Sequence, residues 1–243
     1  AGTAVLNADF RNLSTTLTDT ETFVATSGQT VTINGGATAR RKITLNPDGF
    51  LHCDGVAGSY ASIPDAANLN GLTDFVMEAT DVYLDDWADA GVDTFFAKYG
   101  TGGNAFVFSQ VGANISFYAV YGGAGIGQQF AHGLTGAATA SIRVTRVGTS
   151  LSAELDTGSG YVAIGTPQTI PAAAIDTTTT PMEIGAYNGG VSNRLAGTIS
   201  RAQVWDNGTA AGTAVLDADF RDNPSTLGDT DTLAAATGQT ITI

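Results

Sequence analysis

Hydrophobic and polar residues alternate over short stretches along the whole of this chain. In segment 6–10, Leu6, Ala8 and Phe10 are apolar and the two residues between them are polar. Strict alternation places the three apolar side chains on one face of a β-strand. The same pattern recurs between clusters of Gly, Asn, Asp and Pro, which favour turns. The pattern therefore predicts many short strands, each with one buried face.

The remaining predicted strands are rich in β-branched and aromatic residues. They are segments 30–33, 49–53, 75–84, 94–99, 105–110, 115–121, 129–133, 141–147, 150–156, 182–187 and 197–206. Ile199 and Val204 fall on opposite faces of the last segment, which predicts a bulge or a strand covered on both sides. Helix is expected only in turns such as 64–69, because no segment has an extended apolar stripe of period 3.6. Strands without helices bury their faces against one another, so we expect an all-β, two-sheet antiparallel sandwich.

The opening segment of the chain returns at its end. Residues 2–33 match residues 212–243 without a gap, at a constant offset of 210 and with 20 of 32 positions identical. A period of this length corresponds to a whole domain. We therefore expect one module over residues 1–210. Residues 211–243 are expected to be either the start of a next module or a segment used in assembly.

Three arrangements of the second copy are open. The chain ends inside the next module of a tandem array, or the two copies lie side by side in one module, or the second copy adds to a neighbouring chain. An uncovered strand with an apolar face promotes aggregation. We therefore expect Leu216, Ala218 and Phe220, the apolar face of the second copy, to be buried against protein, and they are the candidate assembly residues.

The charge and composition of the chain exclude some classes of binding partner. The chain has 23 acidic and 10 basic residues and a net charge of −13. Nucleic acids and anionic membrane surfaces bind clustered Lys and Arg, and no run of 18 apolar residues is present to span a bilayer. We expect neither nucleic-acid binding nor membrane insertion. The single cysteine, Cys53, cannot form an internal disulfide, so folding depends on packing.

Several motifs resemble the laminin G-like and concanavalin A-like jelly-roll modules. They occur in that family's order and cover approximately residues 2–208: segments 60–65 (YASIPD), 96–99 (FAKY), 142–148 (IRVTRVG), 182–185 (MEIG) and 197–206 (GTISRAQVWD). The resemblance implies a two-sheet jelly roll. Proteins with this fold bind glycans, mediate adhesion or serve structural roles, and the fold does not choose among these functions.

Patterns typical of catalysis are missing from the sequence. Some relatives with the resembled fold hydrolyse polysaccharides with the carboxylates of a Glu-x-Asp-x-x-Glu strand, and this chain has no such run. No Gly-x-Ser-x-Gly elbow occurs, and His132, one of two histidines, is expected on the surface. The glycine-rich run 122–127 lacks the Lys and Ser or Thr of a phosphate-binding loop, so we expect a hairpin loop there. We expect that the protein is not an enzyme.

Two candidate sites remain. Aromatic rings stack on the C–H faces of sugars, and the candidates are Trp87, Tyr99, Tyr121 and Tyr187, with the amides of Asn188 and Asn193. Carboxylates from one loop can bind calcium, and the candidate ligands are Asp85, Asp86 and Asp89, with Asp93 nearby. We expect no other cofactor.

The domain-length repeat, the scarcity of lysine and the richness in Gly, Thr and Ala resemble structural proteins of phages and surface fibres. The first expectation is a non-catalytic structural or adhesion module of a virion, such as a capsid decoration or tail fibre, or of an extracellular surface fibre. Its partners are then other copies of itself or neighbouring structural proteins. The alternative is a lectin-like module that recognises a host or surface glycan. Both readings predict a virion, extracellular or cell-surface location.

Overall fold

The computed structural model describes residues 50–221 and 232–243 in full, and the backbone of three short strands before residue 47. The chain forms two compact units, Ala1–Lys42 and Ile43–Ile243. In the first unit, β1 (Thr22–Val24) and β2 (Thr30–Thr32) pair as an antiparallel hairpin. The predicted strand over 6–10 lies outside the described residues.

The described residues of the second unit form strands and one short 3-10 turn, Ala67–Leu69, inside the segment predicted as a helical turn. Its strands are β3 (Thr44–Asn46), β4 (Phe50–Asp54), β5 (Ala61–Ile63), β6 (Phe75–Leu84), β7 (Val92–Gly100), β8 (Gly103–Val111), β9 (Asn114–Tyr121), β10 (Ala124–Ala131), β11 (Ala138–Val147), β12 (Ser150–Asp156), β13 (Val162–Thr169), β14 (Met182–Ile184), β15 (Ala196–Ile199), β16 (Arg201–Trp205), β17 (Leu216–Asp219), β18 (Thr232–Ala234) and β19 (Thr240–Thr242). Within the described residues, no helix has the length and apolarity needed to cross a membrane.

The strands of the second unit form two antiparallel sheets. The front sheet has the order β10-β9-β8-β7-β14-β5-β19-β18. The back sheet has the order β13-β12-β11-β6-β15-β4-β3, with β16 also beside β6 and β17 beside β16. The fold is a two-sheet antiparallel jelly-roll sandwich, which confirms the class predicted from alternation.

Inward-facing aromatic rings fill the space between the sheets. The ring of Phe75 in β6 lies 5.3 Å from that of Phe117 in β9, measured between centroids, and Phe108 packs edge-on against Phe96 at 5.2 Å. All four rings are buried. Burial of a phenylalanine side chain contributes about 1.5–3 kcal/mol. Cys53 lies in the same core as a free thiol, and burial raises its pKa to about 12.

The observed strands follow the alternation closely. Segments 75–84 and 150–156 coincide with β6 and β12. Segment 197–206 is interrupted at Ser200, whose backbone N–H and hydroxyl both donate to the Thr80 carbonyl at 3.0 and 2.9 Å. This break separates β15 from β16 and agrees with the predicted irregularity. The sequence pattern missed β13, which ends the back sheet, has no fully buried residue and therefore shows no alternation.

The prediction for the glycine-rich run 122–127 is wrong in part. The hairpin turn is confined to Gly122 and Gly123, whose φ angles are +58° and +83°. Strand β10 begins at Ala124 and pairs with β9 along its whole length. The other two glycines of the run are therefore strand residues.

Candidate functional site

Two aromatic candidates for sugar contact lie in the core. Trp87 has no exposed surface, its indole Nε1–H donates to the Ala138 carbonyl at 2.8 Å, and its ring meets His132 edge-on at 5.5 Å. Tyr121 is 5% exposed. Neither ring is available to a ligand, so the expectation for both is corrected. His132 is also buried rather than on the surface, and desolvation lowers the pKa of its imidazole.

The acidic loop around Trp87 uses its carboxylates within the protein. Asp86 Oδ1 accepts a hydrogen bond from the Ala88 N–H at 2.9 Å, and Asp89 Oδ1 accepts one from the N–H two residues later at 3.2 Å. Asp85 accepts from the Tyr83 hydroxyl at 2.8 Å. Across residues 50–221 and 232–243, no three His, Cys, Asp or Glu side chains gather so that they could hold a metal ion. The expected calcium site is therefore not assembled there: Asp86 and Asp89 accept from backbone N–H groups of their own loop, and Asp85 accepts from a tyrosine hydroxyl.

Three partly exposed tyrosines form a cluster beside the β7–β8 turn. The ring of Tyr99 lies 5.8 Å from Tyr118 and 5.3 Å from Tyr187, and both contacts are edge-on. Tyr99 and Tyr187 were predicted, and Tyr118 was missed. Its signal in the sequence is an aromatic residue at an outward position of β9, where a polar residue would be typical.

Glycines of β10 make room for Tyr118. Tyr118 pairs with Gly127, and Val120 pairs with Gly125, in the β9–β10 register. A Cβ atom at residue 125 would overlap the Tyr118 ring, whereas one at residue 127 would lie 3.8 Å from it. The Tyr118 ring therefore reaches over residue 125 of β10, where only a glycine leaves space for it.

The loop after β14 brings three predicted residues to the tyrosine cluster. The Asn188 N–H donates to the Tyr99 carbonyl at 3.0 Å, and the Asn193 side-chain amide donates to the Tyr187 hydroxyl at 2.9 Å. Asn188 and Asn193 have φ angles of +59° and +43°. Asn tolerates this left-handed region better than most residues. Of the residues predicted to contact a sugar, the structure therefore brings together four: Tyr99, Tyr187, Asn188 and Asn193.

Glu183 of β14 holds this loop in place. Its two carboxylate oxygens accept hydrogen bonds from the Gly189 and Gly190 N–H groups at 2.7 and 3.0 Å. The side chain is buried, and desolvation raises its pKa while the two N–H donors act in the opposite direction. The sequence analysis missed Glu183. Its signal is a single acidic residue between the apolar Met182 and Ile184.

A cleft of about 350 Å³ opens next to the tyrosine cluster. Its walls include Tyr60, the β7–β8 turn at Thr101, the two threonines Thr179 and Thr180, and the Asn188 side of the loop. The surface combines an aromatic ring, hydroxyls and an amide. Such a combination suits a ligand that has both apolar faces and many hydroxyl groups.

A buried lysine supports the threonine wall of the cleft. Lys98 has no exposed surface, and its ammonium donates to Asp65 Oδ1 and Asn70 Oδ1, each at 2.7 Å, and to the Thr178 carbonyl at 2.6 Å. The Thr178 hydroxyl in turn donates to the Gly102 carbonyl at 2.8 Å. Three acceptors satisfy the three donors of an ammonium, so the wall is tied firmly to the β7–β8 turn.

The candidate assembly residues lie in the sandwich of their own chain. Leu216, Ala218 and Phe220 have no exposed surface. They lie on and directly after β17, which pairs with β16 in the back sheet. The second copy therefore closes the second unit in this structure.

No protein-family model and no curated protein sequence matches this chain. Solved structures do resemble it. A Bacteroides ovatus protein assigned provisionally to carbohydrate binding superposes with a TM-score of 0.54 at 11% identity, over 88% of this chain and 64% of that one. The extracellular region of zebrafish Gpr126 gives a TM-score of 0.50 at 15% identity, over 85% and 28% of the two chains. The CBM40 module of a Ruminococcus gnavus sialidase bound to α2,3-sialyllactose gives 0.49 at 13% identity, over 65% and 91%. At such identities the first two likenesses establish a concanavalin A-like jelly-roll fold.

Proposed function

We propose that this protein is a non-catalytic, extracellular module that binds a glycan in the cleft beside Tyr187 and Asn188. The observation that carries the proposal is the convergence of Tyr99, Tyr187, Asn188 and Asn193 at one place on the surface. Tyr99 is distant in the sequence from the other three residues, and the pairing of β7 with β14 brings it next to their loop.

The chemistry of the cleft suits a sugar. The Tyr60 ring can offer an apolar face to the C–H groups of a pyranose, and the amide of Asn188 and the hydroxyls of Thr101 and Thr179 can pair with sugar hydroxyls. The loop is preorganised by Glu183, so little conformational entropy is lost when a ligand binds.

The charge of the cleft favours a neutral glycan over a sialylated or sulfated one. No Lys or Arg is among the residues that line it in the described part of the chain, and Glu183 lies in its wall. The whole chain carries a net charge of −13. An anionic sugar would approach against this charge and find no cation to pair with in the cleft.

The comparisons favour glycan binding over the structural virion role that the sequence analysis placed first. The Bacteroides ovatus protein with the same fold is assigned provisionally to carbohydrate binding. The similar structures described above do not point to a place in a virion or a fibre. The repeated segment alone indicates assembly, and it is a separate feature from the cleft.

A glycan array with the labelled chain tests the proposal, followed by titration calorimetry on any sugar that binds. We expect binding of neutral glycans and at least a tenfold loss of affinity in Tyr60→Ala, because Tyr60 is the aromatic residue among the described residues that line the cleft. Asn188→Gly removes the amide while tolerating the positive φ angle, so it tests the hydrogen bond without backbone strain. Tyr83→Ala is the matched control, because Tyr83 is a 37% exposed tyrosine on the back sheet. Equal loss in the control, or no glycan bound at all, would refute the proposal.

A further inference from the structure

The second copy of the repeat closes the second unit at two sheet edges. In the back sheet, β17 pairs with β16 (Arg201–Trp205), and in the front sheet β19 pairs with β5 (Ala61–Ile63). We call these two edges the closing cradle. The segment 212–243 that fills it contributes Leu216, Ala218, Phe220 and Ile241, all without exposed surface.

The first copy has the residues that filling the cradle requires. Leu216, Ala218 and Phe220 of the second copy correspond to the identical residues Leu6, Ala8 and Phe10 of the first. Ile241 corresponds to Val31, which is also apolar. The backbone agrees as well. Strand β1 pairs with β2 in the same register as β18 pairs with β19. Every paired residue of the first hairpin lies 210 positions before its counterpart in the second.

Most residues that make the polar contacts of the cradle recur in the sequence of the first copy. Thr237, whose hydroxyl accepts from the Asp217 N–H at 3.2 Å, is replaced by Ser27, which also carries a hydroxyl group. Gln239 donates to the Val215 carbonyl at 2.7 Å, and the first copy has Gln at position 29. The Arg201 guanidinium donates to both carboxylate oxygens of Asp217 at 2.5 and 2.6 Å, and the first copy has Asn7 there. Asp219, which lies 3.4 Å from Arg201, is kept as Asp9. The second copy therefore holds the cradle slightly better than the first would.

The chain has two copies of the closing segment, and its described residues form one cradle, which the second copy fills. We propose that the first copy, residues 2–33, docks in the closing cradle of a second copy of this chain when that cradle is not filled by its own second copy. The interaction is an exchange of strands between identical chains, with the head of one molecule closing the sandwich of another. Such a heterologous contact can be repeated from one chain to the next. This inference is independent of glycan binding, since it uses other residues.

A mixing experiment with full-length chains tests the inference. The acceptor carries Ala8→Asp and Ala218→Asp, so that a carboxylate replaces a matching alanine on the apolar face of both copies. The donor is the unsubstituted chain with a fluorescent label, and the control donor carries Ala8→Asp alone. Donor and acceptor are unfolded and refolded together, so that closed cradles do not block exchange, and mixed complexes are counted by native mass spectrometry.

We expect a complex of one donor and one acceptor, reduced at least tenfold with the control donor. An acceptor that does not fold alone is expected to be recovered as folded protein in the presence of the donor. The inference is overturned if no mixed complex forms after joint refolding. It is also overturned if the control donor binds equally, because the second copy of the donor would then be the occupant.

Discussion

The ammonium of Lys98 lies 2.7 Å from Asp65 Oδ1, although Lys98 has no exposed surface and the Asp65 side chain is 32% exposed. The pair connects the loop before the 3-10 turn to the front sheet. Hydrogen bonding from Lys98 is the largest influence on Asp65 and lowers the pKa of its carboxyl, whereas desolvation lowers the pKa of Lys98. The two shifts have different origins because the lysine is buried and the aspartate lies at the surface.

Asp65→Asn is expected to lower the free energy of unfolding by about 2 kcal/mol at neutral pH, since a buried ammonium loses its charged acceptor. The folded-state pKa of Asp65 lies below the ordinary value of 3.8. Its contribution is therefore fully present above pH 3.8 and is lost as the pH falls through the lowered pKa. Urea unfolding at a series of pH values measures this. Asp206→Asn, at an exposed residue, is the control, and a difference between wild type and Asp65→Asn that does not shrink in acid would contradict the prediction.

Gly125→Ala is expected to displace Tyr118, because the new Cβ would overlap its ring. Tyr118 is partly exposed and its ring can swing aside, so we expect the free energy of unfolding to change by no more than about 0.5 kcal/mol, while the near-ultraviolet circular dichroism of the tyrosines should change. Gly127→Ala is a close control, since its Cβ would lie 3.8 Å from the same ring, at ordinary van der Waals distance. Equal effects of the two substitutions would show that the Tyr118 ring does not lie across residue 125.

Gly185→Ala is expected to destabilise the core by about 3 kcal/mol. Residue 185 has a φ of +89°, and a Cβ there would lie 2.5 Å from Cys53 Sγ. Backbone strain and overpacking both contribute. In the double variant with Cys53→Ala the clash is removed and the strain remains, so the loss should be smaller than the sum of the single losses. A double-mutant cycle from thermal unfolding measures the coupling, and strict additivity would rule out the contact.

Asp217→Asn converts the second copy to the residue of the first at the contact with Arg201. We expect a loss of about 0.5–1 kcal/mol, because the ion pair is partly exposed. The loss should decrease at high salt, and it should disappear in an Arg201→Met background. Chemical unfolding at low and high ionic strength tests this. A loss that persists without Arg201 would mean that Asp217 acts through another contact.

Alternation in the sequence determined the strands and the sandwich. Leu216, Ala218 and Phe220 are buried as their pattern predicts. Alternate residues of a strand point to the same face, so only one register places all three apolar side chains on the covered face of the sheet. The edge strand β13 left no such pattern, because neither of its faces is fully buried. The repeat at an offset of 210 was equally visible in the sequence, and with it the apolar residues that close the fold.

Only the tertiary structure decided which chemical groups meet. Trp87 looked like a ligand contact in an acidic loop, but its indole packs in the core and donates to Ala138. Glu183 has no distinguishing pattern in the sequence, yet its carboxylate accepts hydrogen bonds from the N–H groups of Gly189 and Gly190 in the following loop. Tyr99 and Tyr187 meet through a pairing of β7 with β14 that no local pattern specifies. Local periodicity reports which face of a strand is buried, whereas the neighbours of a side chain depend on strand order and loop geometry.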